Sequence, residues 1–190
     1  MRSRILAALS SLALVVTAAA PAEAAWQSYI SKELGFSFQA PGVIKTEVGT
    51  YRAEVAGPRQ TMIFKSVEDN IEYKVTVMSF MQAQMDGATI LEERTYMFQD
   101  KKDVLMDTFA RVEPGKDAVY GRKLVVDLPD KKGRAMGAFF FYKGKLICLE
   151  ATVLPANGDY ASPDPGRFTD SIAFNPVRAG EGATELKLPE

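Results

Sequence analysis

One cysteine and no histidine among 190 residues decide most of the chemistry open to this chain. Without histidine, Ser-His-Asp and Cys-His catalysis, the usual zinc sites and the usual pH switch are all excluded. Cys148 stands in the run Leu146-Ile147-Cys148-Leu149 with no basic neighbour in sequence to activate it, so a buried structural thiol is expected. Met78, Met81 and Met85 could offer thioethers to Cu(I). They span a strand end, where Met78 and Met81 face opposite sides, and packing is the favoured reading.

The acidic residues offer two further candidates. Asp100, Asp103 and Asp107 are spaced to share one helix face, where a hard cation could bind. Lys101 and Lys102 interleave with them, which favours a solvated face. Asp127 and Asp130 stand with Lys131 and Lys132 in a mixed-charge hairpin tip. No catalytic residue, metal ligand or cofactor is assigned. The aromatic cluster Trp26, Tyr29, Phe36 and Phe38 is the one candidate ligand or partner surface, set against a core role for aromatics at strand spacing.

These residues must be positioned by two strand-rich blocks around one helix. Phe36, Phe38 and Ala40 alternate with polar neighbours up to Pro41-Gly42, and segments around Thr50–Ala56 and Thr61–Val67 follow. Ile71, Tyr73, Val75 and Val77 alternate with Glu72, Lys74 and Thr76, a half-buried strand. The spacing of Ile90, Leu91, Met97, Phe98, Val104, Leu105 and Phe109 predicts one amphipathic helix over Ala88 to Phe109, with Leu105 in its buried stripe and Asp103 opposite. Ala118–Leu128, Arg134–Tyr142 and Lys145–Leu154 then read as a three-stranded meander, its last turn Lys143-Gly144.

The later meander strands are apolar on both faces, which calls for cover on both sides. Phe139 and Phe141 oppose Met136, Ala138, Phe140 and Tyr142; Ile147, Leu149 and Val153 oppose Leu146 and Cys148. Asp164-Pro165 reads as an N-cap with proline at the first helical position, opening a helix from Gly166 to about Ala173. Phe168, Ile172 and Phe174 point inward from it, and 177–190 is expected to be a disordered tail.

Residues 1–24 read as a secretory signal peptide: Arg2 and Arg4, the apolar run Ile5 to Val16, then Ala22-Glu23-Ala24. Ala20-Pro21-Ala22 is a second possible cleavage site. The apolar run falls short of the roughly 20 residues that span a bilayer, so no integral membrane segment is expected in the mature chain. The single domain then covers residues 25–176. The mature chain carries 21 basic and 23 acidic side chains, no basic excess of the kind that nucleic acid demands. One cysteine permits no internal disulfide, despite an oxidising destination in the periplasm or outside the cell.

The order of elements, with the terminal run Arg167-Phe168-Thr169-Asp170-Ser171-Ile172, resembles the PsbP-like fold group. That group includes extrinsic proteins of photosystem II, a nuclear-transport factor that binds Ran, and exported bacterial proteins. The resemblance implies an α+β domain, an antiparallel sheet held between helices as an α-β-α sandwich. It also implies a non-enzymatic binding or assembly role with an envelope protein partner. Two alternatives stand beside it: a small-molecule or lipid carrier, and a histidine-free enzyme using carboxylates or lysine.

Overall fold

The computed structural model describes residues 25–55, 57–81, 86–113, 118–175 and 182–188. The expected signal peptide and Met85 lie outside them. The first strands are β1 (Trp26–Ser31), β2 (Phe36–Pro41), β3 (Lys45–Ala53), β4 (Gly57–Glu68) and β5 (Ile71–Ser79). Helix α1 (Gly87–Gln99) leads into β6 (Asp103–Val112), and the meander follows as β7 (Val119–Asp127), β8 (Arg134–Tyr142) and β9 (Lys145–Val153). Helix α2 (Asp164–Asp170) and two short strands, β10 (Ala173–Phe174) and β11 (Thr184–Glu185), complete the order.

Seven strands form one antiparallel sheet in the order β3-β4-β5-β9-β8-β7-β6. The strands β8 and β9 lie near its middle, and their two-sided apolar pattern is resolved as the alternation requires. On one side Met78, Leu124, Val126, Phe139, Leu146 and Cys148 pack under Ile90 and Phe98 of α1. On the other, Val75, Phe140, Leu149 and Val153 join Tyr29, Phe36, Phe38 and Phe168. That second layer is mostly strand: the small sheet β10-β2-β1-β11, with α2 beside it. The turn after β8 puts Lys143 at φ 47° and Gly144 at φ 70°, a left-handed pair suited to the two-residue hairpin.

The long helix is shorter than its periodicity predicts. Asp86 caps α1, its carboxylate accepting from the Thr89 amide at 3.3 Å. At the other end Asp100 leaves helical geometry (ψ 125°) and Lys101 takes φ 57°, so the chain reverses through Asp-Lys-Lys without glycine or proline. Residues 103–112 are strand, paired with β7. Val104, Leu105 and Phe109 fit a helical spacing, but a register partner in β7 decides the outcome: tertiary pairing overrides local pattern. Leu105 is therefore not buried; it sits 51% exposed at a bulge between Val104 and Met106.

Two further expectations change at the C-terminus. Pro163, not Asp164, holds the α2 cap position, with no side-chain cap bond; Asp164 stands in the first turn. The stretch expected to be a disordered tail contains β11, which pairs in parallel with β1, and Leu186 is buried against the aromatic layer. Phe168, Ile172 and Phe174 are all buried, but α2 ends at Asp170 and not near Ala173: Ile172 lies beyond the helix, and Phe174 belongs to β10, which pairs with β2.

The layers assign opposite consequences to two leucines. Leu149→Ala, deleting fully buried volume in β9, is expected to cost about 2–5 kcal/mol. Leu105→Ala, on the exposed bulge, stays within about 0.5 kcal/mol. Urea unfolding of both variants checks this, and a large loss for Leu105→Ala would return that residue to the core.

Candidate functional site

The face of β9 that meets α1 carries a carboxylate among apolar side chains. Glu150 shares that face with Leu146 and Cys148, and its side chain is only 7% exposed. A carboxylate taken from water must be paired. Two cations do this. Arg94, four residues from both Ile90 and Phe98 on the buried stripe of α1, ion-pairs with Glu150 Oε1 through Nη2. Lys74, directly opposite Glu150 in the β5–β9 register, places Nζ 2.5 Å from Oε2.

The neighbouring strand makes room for this. Gly137 of β8 stands opposite Glu150, and a Cβ there would fall 2.4 Å from the Phe139 ring and 3.1 Å from that of Phe98. Glycine lets those rings meet edge to face, with centroids 5.0 Å apart. The Arg94 guanidinium lies 5.0 Å from the Phe139 centroid, so the cation is sandwiched between carboxylate and aromatic. Lys102, just past α1, donates to the Phe98 carbonyl at 2.5 Å and stands 4.8 Å from the Phe98 centroid. Together with Glu72, Leu128, Ala135 and Thr152, these residues line a cleft of about 270 Å³.

Electrostatics follow from this arrangement. Burial alone would push the Glu150 carboxyl up, but Arg94 and Lys74 outweigh it and hold the carboxyl below the usual glutamate range. Burial lowers the Lys102 amine, and the nearby Arg94 and Lys74 charges add to the effect, while Glu150 opposes it. Cys148 has the basic neighbour that the sequence did not reveal, Arg94, yet burial prevails and its thiol is pushed up to about 11. Its role is structural.

The other sequence candidates are dispersed. Tyr29, Phe36 and Phe38 are buried in the second layer and cannot form a surface; only Trp26 reaches a cleft, beneath the Arg167 guanidinium at 4.1 Å. Met78 is buried, whereas Met81 is exposed. The aspartate trio does not share a helix face. Asp100 ends α1, Asp103 lies opposite Asp127 in the β6–β7 register, and Asp107 is held by Arg122 and by Gln99 Nε2 at 3.0 Å. Asp127 is gripped in two-pronged fashion by Arg134, at 2.7 and 3.1 Å. Among the described residues, no group of three or more His, Cys, Asp or Glu could hold a metal ion.

Sequence reasoning missed Arg94 and Glu150. Each carried a signal: a charge centred in an apolar helical stripe, and a charge inside an apolar strand.

A second surface lies where α1 meets β6. Tyr96 of α1 and Val104, Leu105 and Phe109 of β6 are exposed there, Phe109 to 79%, whereas Met97 turns toward Tyr51 of β3 and Met106, opposite Val125, lies on the other face of the sheet. Leu91, Tyr96, Gln99, Asp107, Phe109 and Arg122 border an open groove of about 420 Å³ there. The strand β6 is the last in its sheet, so its outer backbone groups are unpaired within the sheet.

No protein-family model matches the sequence, and no curated protein matches it. Among solved structures, cyanobacterial PsbP (CyanoP) from Synechocystis sp. PCC 6803 aligns with 84% of this chain and 98% of its own, with a TM-score of 0.51 and 13% sequence identity. The chain has a PsbP-like fold, a sheet-dominated α+β domain. No helix among the described residues is long and apolar enough to cross a membrane.

The buried carboxylate generates a pH prediction. Its folded pKa lies below the ordinary 4.5, so its pairing stabilises fully above that value and is lost as pH falls through the folded pKa. Glu150→Gln, which leaves Arg94 buried without its counter-charge, is expected to cost about 3–5 kcal/mol at neutral pH. In denaturant unfolding the gap to the native protein narrows only below about pH 4.5. A gap that is constant with pH would mean that the pair carries no charge coupling.

Proposed function

We propose that the domain, released from its signal peptide near Ala24, is a non-enzymatic binding or assembly factor of the cell envelope, periplasmic or secreted. Its partner is an envelope protein that contributes an extended segment to the open edge of β6. The observation that supports this most is the pair of exposed aromatic side chains, Tyr96 of α1 and Phe109 of β6, that border one groove beside the β6 edge, with Leu105 exposed further along the strand. Soluble domains rarely leave several large apolar side chains together in water, and such patches mark interaction sites.

The setting supports a strand as the occupant. An edge with unpaired amides and carbonyls offers main-chain hydrogen bonds, while the adjoining groove offers pockets for alternate side chains. Asp107 and Arg122, ion-paired at the groove, supply polar anchors beside the Phe109 ring. Arg122 also lies 5.1 Å from that ring's centroid, holding it at the groove mouth. The lipid-carrier alternative gains nothing from the clefts described above, which are open and bordered by charged side chains.

Phe109→Asp tests the reading. A partner cross-linked to the native domain in the envelope and then purified is expected to bind the variant at least about 30-fold more weakly, as loss of a central anchor does. The variant's own unfolding midpoint should be nearly unchanged, because Phe109 is exposed. Hydrogen exchange should show β6 amides protected by the partner. Undiminished binding by Phe109→Asp, or exchange protection confined to the β3 edge, would refute this surface. Substrate turnover abolished by one carboxylate or lysine substitution would refute the non-enzymatic reading itself.

A further inference from the structure

We propose that the cleft at the C-terminal end of α1 is a binding site for a small oxyanion, a carboxylate or phosphate group on a small molecule, held by Lys74, Arg94 and Lys102. The inference is independent of the β6 surface.

The charges in the cleft do not balance among themselves. Three cations, Lys74, Arg94 and Lys102, face two carboxylates, Glu150 and Glu72. Both Glu150 oxygens are engaged, one by Arg94 and one by Lys74. Glu72 is exposed at the rim. Among the described residues, Lys102 has no carboxylate within ion-pair distance; its contacts are the Phe98 carbonyl and ring. An ammonium carries three donors and a guanidinium five, so each of these cations keeps N–H groups beyond the bonds named above. An oxyanion placed among them gains charge-assisted hydrogen bonds in a partly dehydrated setting, where such bonds are strongest.

The same groups are held rigidly, as selective binding requires. Glu150 fixes Lys74 and Arg94, and Phe139 supports the guanidinium from behind. Thr152, next along the Glu150 face, adds a hydroxyl, while Phe98, Leu128 and Ala135 form an apolar wall. A cleft of about 270 Å³ has room for one small molecule. Arg94, Lys74, Glu150, Glu72 and Asp100 are the charged groups around Lys102, and a bound anion adds one negative charge to that set. By linkage it must then raise the Lys102 pKa. A lysine serving only to cap α1 would show no such response.

The test is an NMR titration of the purified processed chain with inorganic phosphate and, separately, succinate, with chloride at matched ionic strength as control. Saturable shifts at Lys74, Lys102 and Thr152 are expected, with an upward move of the Lys102 amine titration. Saturation by phosphate alone assigns a phosphate group, and by succinate alone a carboxylate. Lys102→Gln and Lys74→Gln should each weaken binding about tenfold or more, Lys102→Arg should retain most of it, and Lys131→Gln at the hairpin tip should change nothing. Shifts no larger than those with chloride, or binding unaltered in both glutamine variants, would overturn the proposal.

Discussion

A charged side chain in the middle of a buried strand constrains everything around it. Glu150 lies in β9 with apolar residues before and after it, and an unpaired carboxylate there would cost several kcal/mol. Pairing requires a cation delivered from above the sheet, and Arg94 arrives on the one turn of α1 that faces Glu150. The helix is thereby fixed over β7, β8 and β9, and its end delivers Phe98 onto Gly137 and Lys102 into the cleft. Replacing such a pair with hydrocarbon is often neutral for stability. The ionic version sets the position of α1, and the charged cleft follows from that position.

The opposite face obeys a different logic. There the strands meet mainly aromatic and aliphatic groups, with the Lys123–Asp170 ion pair tying β7 to α2 at the margin. Phe168 of α2 stands edge-on to both Tyr73 and Phe38, and Phe36 does the same to Phe64. This layer gives the domain a hydrophobic anchor in a chain that can form no internal disulfide. The two faces thus divide the work: one side mainly packs, and the other holds the buried Glu150–Arg94 pair and the cleft and groove on which the functional proposals rest.

The legible parts of the sequence were those where local pattern and tertiary context agree. The alternation in β5, the Lys143-Gly144 hairpin and the two-sided strands β8 and β9 could be read directly. Residues 100–109 could not, because apolar groups at 104, 105 and 109 satisfy a helix as well as a bulged strand, and the arbiter is the later strand β7, which pairs Val104 with Val126 and Phe109 with Arg122. The aromatic cluster at Trp26–Phe38 had the composition of a binding surface but the spacing of a core, and three of its four members are buried. Arg94 and Glu150 were invisible as a pair because they are 56 residues apart in sequence. Each was detectable alone as a charge in an apolar stripe.

The central claim is that the Glu150–Arg94 pair organises the α1 face of the sheet. A double-mutant cycle with Glu150→Leu and Arg94→Met tests it most directly. Glu150→Leu strands the buried Arg94 and should destabilise by about 3–5 kcal/mol. Arg94→Met leaves Glu150 with Lys74 alone and should cost less than that. The double variant should cost less than the sum by about 1–3 kcal/mol. Costs that add to within about 0.5 kcal/mol would contradict the account, because the two residues would then act independently.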